Sequence, residues 1–423
     1  MPTPPPIEKS MGMRFYQTFT NGIGGRVRLK YKDFLVKEIL WGVEASSIHR
    51  CTNNYVCCNK YFVYILEKKG LDTFEALEIV KRKVGAKGKI GYAGLKDANA
   101  VTYQFISFRS YREKLPCIIA LNNNVKLFFY RCHDHHISLG ENWGNSFYLV
   151  IRDVKEEKCY NALESVLHEI SSMGGLYPYF GHQRFGTIRP NTHKIGEKIV
   201  KRDWFGAVLE LVGNPHPKEA PQVYEARKVF EKTLNPKEAL ELFPRKFVYE
   251  RIVLKELLKG RSYLEALHAL PKRILKIYVE AYQAYIFNEY VSKRLENDIP
   301  PNVAIEGDTV FSKGYYEKIV QKRKLRCKEN ILLPLVGYAT KLGKQLAHTM
   351  LREVIDKENI SLSMFKIKEL NMRIKGGLRK SPMIMHGLSY VCSESNLRIH
   401  FCLEKGMYAT VFLREIMKNE YVS

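Results

Sequence analysis

A carboxylate beside a cation on a glycine-bounded turn is the first arrangement in this chain that could do chemistry. In Gly91-Tyr92-Ala93-Gly94-Leu95-Lys96-Asp97, small residues end one strand and Lys96 and Asp97 form a turn. Val101, Tyr103 and Phe105 then alternate with Thr102, Gln104 and Ile106 on a returning strand. Such a turn holds Asp97 at a fixed point, as a nucleophilic carboxylate requires. A solvated β-hairpin carries the same residue types, and the local sequence leaves both readings open.

Other chemistries lack their signatures. The same stretch superficially resembles a phosphate loop, but its lysine does not adjoin the second glycine and Asp97 stands where a metal-binding Ser or Thr is required. Gly22-Ile23-Gly24-Gly25-Arg26 is a weak dinucleotide signal with no helix to follow it. No H-E-x-x-H, no methyl-donor loop and no cysteine in a nucleophile's setting is found, so no cofactor is expected. His49, Cys51, Cys57 and Cys58 crowd one segment, and Cys132, His133, His135 and His136 another. Neither has paired C-x-x-C spacing, and alternation sends Cys132 and His133 to opposite faces of a strand, so no metal site is expected.

Composition bounds the partners. The chain has 423 residues, 45% of them apolar, enough for two or three domains with a sizeable core. Lys and Arg number 68 against 44 Asp and Glu, a net charge of +24, which points to a polyanion and first to nucleic acid. No long apolar run and no charged-then-apolar amino terminus occurs, so no membrane partner is expected. Nine irregularly spaced cysteines read as free thiols in a reducing, cytoplasmic setting.

The elements that must position Asp97 follow from periodicity. Arg26 to Ile39 alternates as strands, and Tyr61 to Leu66 makes a buried strand stopped by Lys68 and Lys69. Asp72 caps a helix with Glu75 three residues on and Leu77, Val80 and Val84 as its apolar stripe. Val125 to Tyr130 and Gly144 to Arg152 are further strands, and a helix follows around Leu163, Val166 and Ile170. The region beyond it is mostly helical and rich in Lys and Arg. A glycine-aromatic loop from Gly174 to Gly186 opens this region, equally suited to a packed turn or to cradling RNA. A long helix from Arg273 to Leu295 carries Ile277, Ala281 and Tyr285 as its core stripe. At the end, Leu397, Ile399, Phe401 and Leu403 alternate as a strand before a short helix from Thr410 to Lys418. A strand-turn-helix matching the strand-rich start predicts that both ends build one domain, with the middle inserted.

The stretch from Gly91 to Gln104 resembles the signature A-G-x-K-D-x-x-A-x-T-x-Q of the TruD family of tRNA pseudouridine synthases. Asp33-Phe34-Leu35-Val36-Lys37-Glu38, Gly144-Asn145-Ser146-Phe147, Phe180 to Gly186, Tyr285 to Asn288 and Lys405 to Thr410 with Leu413-Arg414-Glu415 join it in order. The sequence departs from the family pattern at Tyr177 and Pro178, where Pro and Asn are usual.

The resemblance implies an α+β fold: a pseudouridine-synthase catalytic domain with a mixed, mostly antiparallel sheet, interrupted by a largely helical TRUD insertion domain. Residues 1–170 and 381–423 would form the first and 171–380 the second, with an RNA-binding cleft between them. It implies isomerisation of uridine to pseudouridine in tRNA, typically at position 13, with Asp97 as the attacking carboxylate and no cofactor. Arg28, six residues before Phe34, is expected as the ion-pair partner of Asp97, with Lys96 second. Phe147 is expected to stack the flipped-out uracil and Asn145 to orient the aspartate or base. Phe34 and Glu38 would belong to the cleft, Glu38 equally as a structural acceptor, while Thr102 and Gln104 tie the hairpin down. Gln183, Arg184 and Phe185 would line the RNA side of the insertion domain. The alternative is a non-catalytic RNA-binding or RNA-folding protein on the same scaffold.

Overall fold

The computed structural model describes residues 3–47, 54–154, 156–393 and 395–419. They form two compact units, one of Thr20–His168 with residues 383–419, the other of Glu169–Pro382 with residues 3–19.

The first unit is built on a mixed sheet. Its main path runs His386–Ser393, Asn396–Glu404, Gly144–Val154, Phe34–Leu40, Val101–Ser110, Tyr61–Lys69, Val125–His133 and Ile118–Asn122. Every pairing along this path is antiparallel except one, the parallel ladder between Phe34–Leu40 and Val101–Ser110 (Leu35↔Val101 to Lys37↔Tyr103). That exception decides where a site can form. Parallel neighbours start at the same edge of a sheet, so the segments entering them, around Arg28 and around Asp97, meet there. The carboxyl-terminal strand Asn396–Glu404 pairs with Gly144–Val154 from Gly144↔Glu404 to Arg152↔Asn396, which joins the chain's two ends in one sheet.

Helices cover the flanks of one sheet face. Thr73–Val84 is capped by Asp72 and Glu75 in a reciprocal box, and its Ala76, Leu77, Val80 and Val84 pack on Tyr64, Leu66, Ile106 and Leu127. Ala409–Met417 lies at the other flank, with Phe412 edge-on to Phe401. The middle strands between these flanks carry Phe34, Glu38, Asn145 and Phe147. On the opposite face Val63, Ile65, Phe105 and Phe128 form a second cluster.

The second unit is helical with a small sheet of its own, Tyr315–Lys318, Thr309–Ser312, Asn330–Leu335 and Gly377–Ser381. Its central helix is Lys272–Glu296. Of the expected stripe, Ala281 is buried and Tyr285 half-buried, but Ile277 is exposed, and the buried rows also run through Ile274, Leu275, Tyr278, Val279, Tyr282 and Ile286. A helix enclosed along most of its length offers no single amphipathic phase to read. Residues 3–19, expected with the sheet, belong to this unit instead. Gly12, at φ 80°, comes so close to the helix that a Cβ there would meet Asn288 Cβ and Tyr285 O at 2.9 Å. Asn288 binds this segment to the loop before Gly181: its Nδ2 donates to Met11 O (2.9 Å) and Phe180 O (3.0 Å), and its Oδ1 accepts from Phe180 N (2.8 Å).

Among the described residues two cysteine pairs correct the expectation of free thiols in part, while Cys57, Cys327 and Cys402 are free. Cys58 is joined to Cys132 and Cys159 to Cys392, with Cα separations of 5.7 and 6.5 Å, because strand register and helix docking bring distant positions together whatever their spacing in sequence. His49 and Cys51 lie outside the described residues. Within them, no three His, Cys, Asp or Glu side chains gather as a metal site, and no helix is long and apolar enough to cross a membrane.

Asn288→Ala would remove three hydrogen bonds to buried peptide groups. It is expected to cost about 3 kcal/mol in urea unfolding and to expose residues 3–19 to limited proteolysis; a loss below about 1 kcal/mol with unchanged cleavage would contradict this role.

Candidate active site

Asp97 sits on a segment, residues 93–100, whose backbone is fixed at five points. Gly140 N donates to Ala93 O (2.7 Å), Gln104 Nε2 to Gly94 O (3.4 Å), Lys96 N to Thr73 Oγ1 (3.0 Å), Lys68 Nζ to Asp97 O (2.6 Å) and Gly70 N to Ala100 O (3.2 Å). Thr73 is the first residue of the capped helix, so helix and turn are fastened together. Gly91 is needed for packing, since a Cβ would meet Ser107 Oγ at 2.5 Å and Ile137 O at 2.6 Å.

The charges are partitioned. Lys96 Nζ meets Glu38 Oε1 at 2.6 Å, with both side chains buried, and Glu38 Oε2 accepts from Phe105 N at 2.9 Å. Glu38 is therefore a structural acceptor, and its partner Lys96 is committed to it. Asp97 turns instead to Arg28, whose Nη2 lies 3.3 Å from Asp97 Oδ2. The Arg28 guanidinium lies 4.1 Å over the Phe34 ring, and its backbone takes a left-handed φ of 61°. Burial lowers the Arg28 pKa and Asp97 opposes the fall; a guanidinium stays charged regardless. The Asp97 side chain keeps 31% of its surface exposed, so its carboxylate is reachable.

One sheet face collects the remaining residues. Asn145 lies opposite Glu38 and Phe147 opposite Val36, which in turn lies beside Thr102; directly paired residues project to the same face. Phe147 stacks on Phe401 (5.4 Å) and meets Phe34 edge-on (6.3 Å). Three buried polar atoms of this site have no hydrogen-bond partner among the described residues: Arg28 Nε, Asn145 Oδ1 and Thr102 Oγ1. Gln104 does anchor the turn, but Thr102, expected to do the same, makes no such bond.

Lys68 is the residue the sequence reading missed. The strand was expected to stop there, yet it runs to Lys69, and Lys68 is 0% exposed with its Nζ on Leu71 O (2.8 Å) and Asp97 O (2.6 Å). Burial pushes its pKa down to about 8, against the attraction of Asp97 and Asp72. Parity was the available signal, because Lys68 shares a strand face with the buried Phe62, Tyr64 and Leu66.

A model of the family described as tRNA pseudouridine synthase D (TruD) matches residues 10–416. The chain belongs to the TruD family. A protein of Thermococcus sibiricus named probable tRNA pseudouridine synthase D is 33% identical over 424 residues, covering 96% of this chain and 97% of that one. Its namesake in Thermococcus onnurineus is 34% identical over 415 residues, covering 94% and 96%. The crystal structure of a TruD protein from Methanosarcina mazei matches with a TM-score of 0.77 at 29% identity, covering both chains completely.

Seven of the residues that the family resemblance singles out, Arg28, Phe34, Glu38, Lys96, Asp97, Asn145 and Phe147, thus lie on one unit. Gln183, Arg184 and Phe185 lie on the other. Phe185 is fully buried, edge-on to His193, which corrects its expected place on an RNA-facing surface: the turn's aromatic residue is core. Arg184 is held by Glu280 at 3.1 Å, and Gln183 is half-buried. At the departures from the family pattern, Tyr177 is buried with its hydroxyl donating to Ile299 O (2.9 Å), and Pro178 O accepts from Arg379 Nε (2.7 Å).

Replacing Lys96 by Met strands the Glu38 carboxylate in a closed site. Urea unfolding is expected to show a loss of about 3–5 kcal/mol; a loss within about 1 kcal/mol would mean that the pair does not hold the turn.

Proposed function

We propose that the chain isomerises uridine to pseudouridine in tRNA, at position 13, with Asp97 as the nucleophile. Membership of the TruD family supports the reaction class. The observation that carries the residue assignment is the ion pair of Asp97 with Arg28 at 3.3 Å, beside a Lys96 already neutralised by Glu38. It leaves one carboxylate held by a fixed cation and accessible.

In this reading the target uridine is turned out of the RNA and its base is brought to Phe147, a ring only 6% exposed and stacked on Phe401, with Asn145 alongside. The carboxylate adds to the nucleotide and the bond between ribose C1′ and uracil N1 breaks. Uracil rotates, C5 bonds to C1′, the bond from the carboxylate to the nucleotide breaks and frees Asp97, the C5 proton leaves and N1 ends protonated. Composition and oxidation level are unchanged, so the chain's own residues suffice for the bond exchange. Attack at the sugar or at the base uses the same carboxylate. The net charge of +24 supplies attraction to the tRNA backbone.

The test is pseudouridine mapping, by carbodiimide-blocked primer extension, on an unmodified tRNA transcript treated with the full chain. Modification at position 13 is expected, with loss of about 10⁴-fold or more in Asp97→Asn and about 100-fold in Arg28→Met. Undiminished product from Asp97→Asn would overturn the assignment of the nucleophile. Tight tRNA binding by the unaltered chain without any product would favour the non-catalytic alternative.

A further inference from the structure

We infer that Lys68 is a positioning residue for the reaction, its buried ammonium holding the peptide carbonyl of Asp97 from behind while its charge faces the same residue's carboxylate. The inference rests on the reading of Asp97 as nucleophile. A lysine with no exposed surface is unusual, and such a charge is normally paired with a carboxylate. Among the described residues no carboxylate lies within ion-pair distance of Lys68; its hydrogen bonds go to two peptide carbonyls, Leu71 O at 2.8 Å and Asp97 O at 2.6 Å. Two carbonyls need only a neutral donor. A charged one is justified by what surrounds it: the Asp97 carboxylate on the turn and Asp72 at the helix cap attract it, and Lys96 on the turn repels it.

The two contacts on Asp97 divide the work. Arg28 reaches its carboxylate from the segment entering the neighbouring parallel strand, and Lys68 fixes its main chain from the antiparallel strand on the other side. Rotating the Asp97 carbonyl off Lys68 would swing the Cα–Cβ bond and with it the carboxylate. Burial lowers the Lys68 pKa to about 8, so its charge is full below that pH and fades above it, while the neutral amine still donates to both carbonyls.

Single-turnover kinetics on a tRNA transcript, with tRNA binding measured in parallel, tests this on the full chain, Lys68→Met, Lys68→Arg and Asp97→Asn. A folded Lys68→Met is expected to lose about 100-fold in rate while binding tRNA within about threefold of the unaltered chain. In the unaltered chain the rate should fall above about pH 8 at constant tRNA affinity, and Lys68→Arg, which keeps its charge, should move that limb upward. Lys68→Met turning over within about threefold of the unaltered chain, beside an inactive Asp97→Asn, would overturn the role of Lys68 and leave that of Asp97 standing. Should Lys68→Met not fold, a rate that stays level through pH 8 and beyond in the unaltered chain would overturn it equally. Activity in Asp97→Asn would remove the nucleophile assignment, and this inference with it.

Discussion

The buried pair of Lys96 and Glu38 is the constraint on which the candidate site depends. Glu38 stands on a middle strand and Lys96 on the turn above it, so their 2.6 Å contact fixes the height of the turn over the sheet. It also settles which cation Asp97 sees. Had Lys96 been free, the adjacent carboxylate would have been its nearest partner in sequence. Because it is occupied, Asp97 is left to a guanidinium from a segment 69 residues away. That segment arrives at the right edge only because one ladder of the sheet is parallel. Topology, pairing and the orientation of one carboxylate therefore form a single chain of causes.

The surrounding structure tolerates several costs on this one face. Arg28 holds a left-handed backbone conformation, worth roughly 1–2 kcal/mol against a residue with a Cβ. Lys68 carries a buried charge whose pKa falls from 10.5 to about 8, an unfavourable contribution of about 3 kcal/mol at neutral pH. The sign follows from linkage: the unfolded chain binds the extra proton between these two values, so the cost is full below about pH 8 and is relieved toward 10.5. Arg28 Nε, Asn145 Oδ1 and Thr102 Oγ1 remain unpaired beside them. Strain, a buried charge and open polar atoms cluster where ligand contacts would compensate them, and the well-capped helix Thr73–Val84 holds the arrangement rigid.

Much of this scaffold was legible in the sequence because local rules governed it. The Asp72 and Glu75 box, the alternation of Leu397 to Leu403 and the turn at Lys96 and Asp97 each follow from nearest-neighbour geometry. The family signature named Asp97, and the wider family resemblance named Arg28. What local rules did not reveal depended on a third dimension. Lys68 reads as a polar strand end until its face is known to be the buried one. Lys96 and Glu38 lie 58 residues apart, and only register joins them. Phe185 reads as an exposed aromatic beside an arginine but fills the core against His193. Residues 3–19 read as part of the sheet domain, and it is hydrogen bonds from Asn288 and Ser292 on a helix almost 280 residues downstream that hold them in the other unit.

The most direct measurement is a double-mutant cycle on Glu38 and Lys96, reading the single-turnover rate with Glu38→Gln, Lys96→Met and the two combined. If the pair acts as one unit that sets the turn, each single change and the double change should lower the rate to a similar level, with tRNA affinity preserved. Effects that multiply independently, or a Glu38→Gln chain as fast as the unaltered one, would contradict the account.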